Sequence, residues 1–214
     1  MNEVFNPEGR LYQVLLKVYE IVALHVLFVV TSVPLVTIGA ATTATYATWF
    51  RIWNGVDDGK LVRTFFREFR SNFRKSTILW LVMAAVVAVC AWLVYPVAVA
   101  PAIRAFPPLS LAAILLVTVA ALAAGYLFPL LARFENSVWR TVLNAFVIAM
   151  TNMAASVAVC VINFGILVGG FVFAGRFVVL WLFGAVGVAS FLSSWILNRV
   201  FAAYLPAEEP SAAS

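Results

Sequence analysis

The sequence predicts an all-α membrane protein: a polytopic membrane helix bundle of about five transmembrane helices, with a cytoplasmic interfacial amphipathic helix beside them. Three observations predict it. Hydrophobic residues make up 64% of the 214 positions and charged residues 11%, with a mean hydropathy of +1.03; soluble domains average roughly 45–50% apolar and 25% charged. The ionisable residues gather in a few patches between long neutral runs. One patch, Arg51 to Lys75, holds half of the chain's 14 Lys and Arg residues on a phenylalanine-striped segment. The resulting layout is a single integral membrane domain over 1–205 and a disordered tail over 206–214. Spans are predicted near 21–50, 77–100, 109–131, 144–169 and 177–198, and the amphipathic helix over 60–75. The net charge of +5 reads as topology and contact with anionic lipid headgroups, not nucleic-acid affinity, because basic residues in so apolar a chain flank membrane segments.

Met1 to Glu20 is too charged for a signal-peptide core, with Glu3, Glu8, Arg10, Lys17 and Glu20. Leu11, Val14, Leu15 and Val18 recur at helical spacing, which predicts a short amphipathic helix near the interface. Ile21 to Phe50 then runs without a formal charge. Pro34 removes a backbone donor and biases Val33 away from helical geometry, and Gly39 adds a flexible point. The first span is therefore kinked or broken at Pro34–Gly39. Two paths remain open: one crossing, with the N-terminus outside, or a re-entrant hairpin, with it inside. One crossing is preferred, since each half falls short of the roughly 20 residues a span needs. Freed backbone groups at the break need hydroxyl or neighbouring-helix partners, because lipid offers none.

Asn54-Gly55 and Asp57-Asp58-Gly59 are turn chemistry. From Lys60 onward, Leu61, Val62, Phe65, Phe66, Phe69 and Phe73 form one helical stripe. Lys60, Arg63, Arg67, Arg70, Arg74 and Lys75 occupy the other face, relieved by Glu68. The positive-inside rule puts the Arg51–Lys75 loop in the cytoplasm, and the C-terminus with it after five crossings. The stripe predicts a helix lying in the headgroup plane, phenylalanines down and arginines out. Pro96, Pro101, Arg104, Pro107 and Pro108 mark an external loop; Arg133, Glu135 and Arg140 mark a second cytoplasmic segment. Gly169 to Gly175 predicts a tight outer turn.

The run SVPLVTIGAATTATY, followed after a short loop by FFREFRSNFRKSTILWL, resembles the YesL-type family of small bacterial membrane proteins. The likeness extends from about Pro7 to Leu205 and is most specific at the Pro34–Gly39 break and at Phe65 to Lys75. It implies a helical protein of the bacterial cytoplasmic membrane in the setting of carbohydrate uptake or sensing. It implies no catalytic residues, because the family defines none.

The residues themselves point away from an enzyme. His25 is the only histidine, so a zinc quartet of the usual kind cannot form, although a lone intramembrane histidine can relay protons or bond a neighbouring helix. Cys90 and Cys160 lack CxxC spacing and read as small packed side chains. No carboxylate falls between Glu20 and Asp57, between Glu68 and Glu135, or between Glu135 and Glu208, which leaves no buried acid pair for acid–base work. No cofactor is expected. Two candidate sites remain. Pro34, Thr37, Gly39, Thr42, Thr43 and Thr45, with His25, would form a helix break or polar cavity of the kind in which transporters bind solutes; the same hydroxyls also serve as glue between helices. Arg63, Phe66, Arg67, Phe69, Arg70, Phe73 and Arg74 would dock lipid or a partner. The expected partners are a bilayer with anionic headgroups, a carbohydrate transporter or sensor component, and a second copy of the chain through Gly165 to Gly169. The two functional expectations are a non-enzymatic accessory or regulatory component and, alternatively, a small-solute transporter. Met83 to Cys90, MAAVVAVC, returns at Met153 to Cys160 as MAASVAVC, either an internal repeat or a coincidence of Ala/Val-rich helices.

Overall fold

In the computed structural model, residues 9–56, 59–99, 107–172 and 174–204 are described, and they hold seven α-helices and one 3₁₀ turn. In chain order these are α1 (Arg10–Thr31), the 3₁₀ turn (Leu35–Thr37), α2 (Ile38–Trp53), α3 (Leu61–Val99), α4 (Pro107–Arg133), α5 (Val138–Thr151), α6 (Met153–Val172) and α7 (Ala174–Ala202). Among the described residues, four helices are long and apolar enough to cross a membrane: Arg10–Thr31, Leu61–Val89, Leu115–Arg133 and Gly184–Ala202. A fifth is added if the bent pair Val138–Thr151 and Met153–Ile166 counts as one span. The fold is an all-α polytopic helix bundle. The expected external loop marked by Pro96 to Pro108 is shorter than expected: Pro96 lies within α3, residues 100–106 lie outside the described residues, and so does the expected tail over 206–214. Pro107 and Pro108 open α4, where the missing donors cost nothing.

The break falls at Pro34 as expected, but the single kinked crossing over 21–50 does not form. α1 begins at Arg10, is 22 residues long, and α2 folds back against it. The antiparallel path is fixed by contacts far apart in sequence: Lys17 Nζ lies 5.5 Å from the Trp53 ring centroid, and Leu24 shares a buried cluster with Ala44 and Trp49. The charges near the start of α1 are accommodated because Lys17 pairs with Glu20 at 2.8 Å. At the hairpin tip Thr31 Oγ1 donates to the Leu27 carbonyl at 2.7 Å, and Thr37 Oγ1 donates to the Thr31 and Pro34 carbonyls. Hydroxyls thus satisfy acceptors that lipid would leave bare.

α2 is the centre of the bundle. Gly39 to Ala41 and Thr43 to Phe50 are buried, enclosed by α1, α3, α4 and α7. Its small residues let neighbouring backbones approach closely. The clearest case is Gly39, whose position permits no side chain. A Cβ there would lie 2.5 Å from the Ser76 carbonyl oxygen and 2.7 Å from Trp80 Cβ. The sequence reading of Gly39 as a flexible point is corrected: it is a contact between two helices. Further along the same face of α2, Tyr46 and Phe50 join Leu79, Tyr126, Phe128, Leu130, Ile148, Val159, Leu197 and Phe201 in the larger core.

The amphipathic segment over 60–75 is helical but is not a separate helix in the headgroup plane. It is the first part of α3, 39 residues of continuous helix. Phe65 is buried against Leu24, Ala44 and Trp49, with Phe69 packed beside it, so part of the expected lipid-facing stripe holds α3 to the α1–α2 hairpin. The span expected over 144–169 is also divided. α5 turns from α6 by 108° at Asn152, and α6 continues to Val172, past the expected stop at Gly169.

Candidate functional site

The hydroxyl-rich face of α2 spends its hydrogen bonds on its own backbone. Thr42, Thr43, Thr45 and Thr48 donate to the carbonyls of Ile38, Gly39, Ala41 and Ala44, each four residues earlier, at 2.8–3.0 Å. Ser76 of α3 adds one interhelical bond, its Oγ donating to Thr43 Oγ1 at 2.9 Å. Pro34, Thr37 and Gly39 thus sit at one end of a packed helix, where Ser76, Trp80 and Phe128 close on Gly39. A groove of about 710 Å³ opens elsewhere, along Arg10, Gln13, Leu16, Lys17 and Ile21 of α1 and Phe191 of α7.

His25 is brought to α7 and away from the break. Its Nδ1 accepts from the Gly187 backbone N–H at 3.3 Å, which puts the ring's lone pair on that nitrogen. Gly187 makes the approach possible, since a Cβ there would lie 2.5 Å from the Ile21 carbonyl oxygen. The same turn of α7 begins a ladder that sequence reasoning missed. Trp49 Nε1 donates to Ser190 Oγ and Trp53 Nε1 to Ser194 Oγ, both at 3.0 Å. Each serine passes its own proton to a carbonyl one turn back, Gly187 or Phe191, at 2.9 Å. Asn54 Nδ2 and Asn198 Oδ1 follow at 3.3 Å. Trp49/Trp53 and Ser190/Ser194 each share the i, i+4 spacing of one helix face, a matched pattern legible in the sequence once both helices are known to face each other.

The second candidate site is an exposed cationic ridge on the first turns of α3. Arg63, Arg67, Arg70, Arg74 and Lys75 are solvent-accessible in the bundle. Phe66 and Phe73 are exposed next to them, whereas Phe69 turns toward the hairpin. Among the described residues the only carboxylate within ion-pair distance of these cations is Glu68, 3.5 Å from Arg67 Nε. Arg63, Arg70, Arg74 and Lys75 therefore present their charge outward. The neighbours that hold the ridge in place are apolar: Phe65 under it, then Leu24, Ala44 and Trp49. No group of three His, Cys, Asp or Glu side chains that could hold a metal ion occurs among the described residues.

The fold and both sites define a polytopic helical membrane protein with a fixed basic ridge. Residues 21–94 match the family described as "Protein of unknown function, DUF624". The match spans roughly a third of the chain and contains the hairpin tip, all of α2 and the arginine ridge. No curated protein and no solved structure matches the chain.

Proposed function

We propose that this protein is a non-enzymatic accessory or regulatory component of the bacterial cytoplasmic membrane, and that the α3 ridge docks an acidic cytoplasmic partner. One observation carries the reading: four outward cations with no carboxylate partner among the described residues stand on a helix whose Phe65 and Phe69 are used inside the bundle. The backbone of a ridge braced in this way is preorganised, so little backbone ordering opposes docking. Its concentration of positive charge favours the cytoplasmic side. YesL-type proteins belong to the family matched over residues 21–94, and the resemblance supports a carbohydrate transporter or sensor component as the partner. Bilayers with anionic headgroups compete for the same cations.

Affinity purification from native membranes in mild detergent tests the reading. The wild-type chain is expected to retain an acidic partner that high salt releases, since exposed charge pairs are screened beyond a Debye length of about 8 Å at physiological ionic strength. Arg67→Glu with Arg70→Glu is expected to lose that partner while the chain still inserts and remains monodisperse. A partner retained by a well-inserted double variant ends the docking proposal.

A further inference from the structure

α5 combines an orientation with a surface pattern. Its 14 residues extend roughly 21 Å, too short for a hydrocarbon core of roughly 30 Å. It turns 108° from α6, and α6 runs antiparallel to the candidate span α7, with Asn163 Nδ2 donating to Ser193 Oγ at 3.1 Å and Tyr204 Oη meeting Asn152 at the other end. A helix at that angle to a crossing pair lies close to the membrane plane.

The faces of α5 agree. Thr141, Ala145, Ile148 and Ala149 are buried. The outer face exposes Trp139, by 69%, with Leu143, Phe146 and Val147. Arg140, Asn144 and Thr151 are exposed along one flank of that stripe. The apolar surface continues round the bend into Met153, Val157, Val161 and Phe164, the exposed stripe of α6. One apolar strip thus runs along the helix packed beside candidate span α7 and then turns with the chain by 108°, bordered there by polar side chains. That is the pattern of a helix lying in the interface, with an indole at its start.

We infer that α5 is an in-plane interfacial helix whose Trp139, Leu143, Phe146 and Val147 face beds in the headgroup–acyl boundary of the bilayer, with Arg140 and Asn144 toward the headgroups. The crossing near 144–169 is then made by α6 alone. The occupant of the α5 face is lipid, the occupant that a polytopic bundle gives the contiguous α6 stripe. This inference does not depend on the partner proposed for α3.

Depth measurement in vesicles tests it. Single cysteines replace Trp139, Leu143 and Val147 in a full-length chain carrying Cys90→Ala and Cys160→Ala. Each is labelled with an environment-sensitive fluorophore and reconstituted into phosphatidylcholine/phosphatidylglycerol vesicles containing shallow or deep nitroxide lipids. All three labels are expected at one shallow depth, quenched severalfold more by the shallow probe, whereas labels at Met153, Val157 and Phe164 deepen in sequence. A difference of roughly 12 Å in depth from 139 to 147, the length of helix between them, would make α5 part of a crossing and overturn the inference. Protection from both lipid and aqueous quenchers would place protein on this face, and quenching by aqueous iodide alone would place water there; either overturns it as well. If the cysteine-free chain does not yield monodisperse protein, Trp139→Phe in the native chain gives the second readout. It is expected to remove a tryptophan emission component quenched by the shallow lipid, and an unchanged quenching profile would count against the inference.

Discussion

Two stretches of this chain share almost the same eight residues and take different paths. Met83 to Cys90 sits inside α3, which runs unbroken from Leu61 to Val99. Met153 to Cys160 starts α6 just after the chain has turned by 108°. The difference lies in what precedes and interrupts the shared pattern: Leu81, Val82 and Val86 in α3 against Thr151, Asn152 and Ser156 in the second copy. At the bend the Ile148 carbonyl accepts from the Asn152 backbone N–H, Asn152 Nδ2 and Thr151 Oγ1 at 3.0–3.2 Å. Ser156 Oγ lies 2.9 Å from the carbonyl oxygens of both Ala149 and Asn152. With its one proton directed there, Ser156 accepts from Tyr126 Oη at 2.9 Å. α3 has only apolar side chains at the matching positions and could not satisfy the carbonyls a bend exposes. It is also braced along α2, through Phe65, Ser76 and the Gly39 contact. A helix in this bundle bends where polar side chains can meet its freed backbone, and stays straight where a neighbour supports it.

The largest expected effect removes the brace. Gly39→Ala places a methyl group 2.5 Å from the Ser76 carbonyl oxygen, against backbone that cannot rotate away. Overpacking of this kind costs about 3 kcal/mol, so thermal unfolding in detergent should show a lower midpoint and a smaller monodisperse fraction. Unchanged unfolding would mean that α3 does not need α2 to hold its path. Next comes transfer of the α3 residues into the bend. Thr151→Leu with Asn152→Val removes the side-chain bonds to Ile148 and the link to Tyr204 Oη at 2.9 Å. At about 1 kcal/mol net per hydrogen bond, a loss of roughly 2–3 kcal/mol is expected. Spin labels at Leu143 and Phe164 should also gain a component about 10 Å longer as part of the population straightens. A distance distribution that stays put would locate the cause of the bend in tertiary packing alone. Ser156→Val leaves Tyr126 and the Ala149 carbonyl without their partner and is expected to cost about 1–2 kcal/mol. In a double-mutant cycle Tyr126→Phe should cost less beside Ser156→Val than alone; additive costs would mean that the pair is not coupled.

The sequence made the helical runs, the break at Pro34 and the cationic segment legible, because each has a local physical cause: apolar periodicity, a missing donor, clustered charge. The path through the break was not legible. Ile21 to Phe50 carries no charge to mark a boundary, and the charged residues that begin α1 looked unfit for a membrane helix until Lys17 met Glu20 and Trp53. Gly39 was ambiguous for a different reason. Flexibility and close packing call for the same residue, and only the neighbours at Ser76 and Trp80 distinguish them. The hydroxyls of α2 were legible as polar groups, but which acceptor each would take depended on the helix register that burial imposed. Asn152 gave no warning, since a single asparagine in an apolar run is compatible with a straight helix until a partner such as Tyr204 is placed beside it.

That last point sets the smallest expected effect. Val82 matches Asn152 in the two copies, and it lies half-exposed on α3. Val82→Asn supplies the amide of the bend without Tyr204, Thr151 or Ser156. In a membrane helix a lone asparagine can bond a carbonyl of its own preceding turn, and α2 still braces the helix on its other side. The expected change in stability is below about 1 kcal/mol, in line with the modest worth of single polar contacts in lipid. Spin labels at Phe73 and Trp92 should stay about 28 Å apart, the separation of a straight helix over that length. A shortened distance would show that one asparagine suffices to turn the helix, and the contrast between the two copies would then rest on that side chain and not on the network around it.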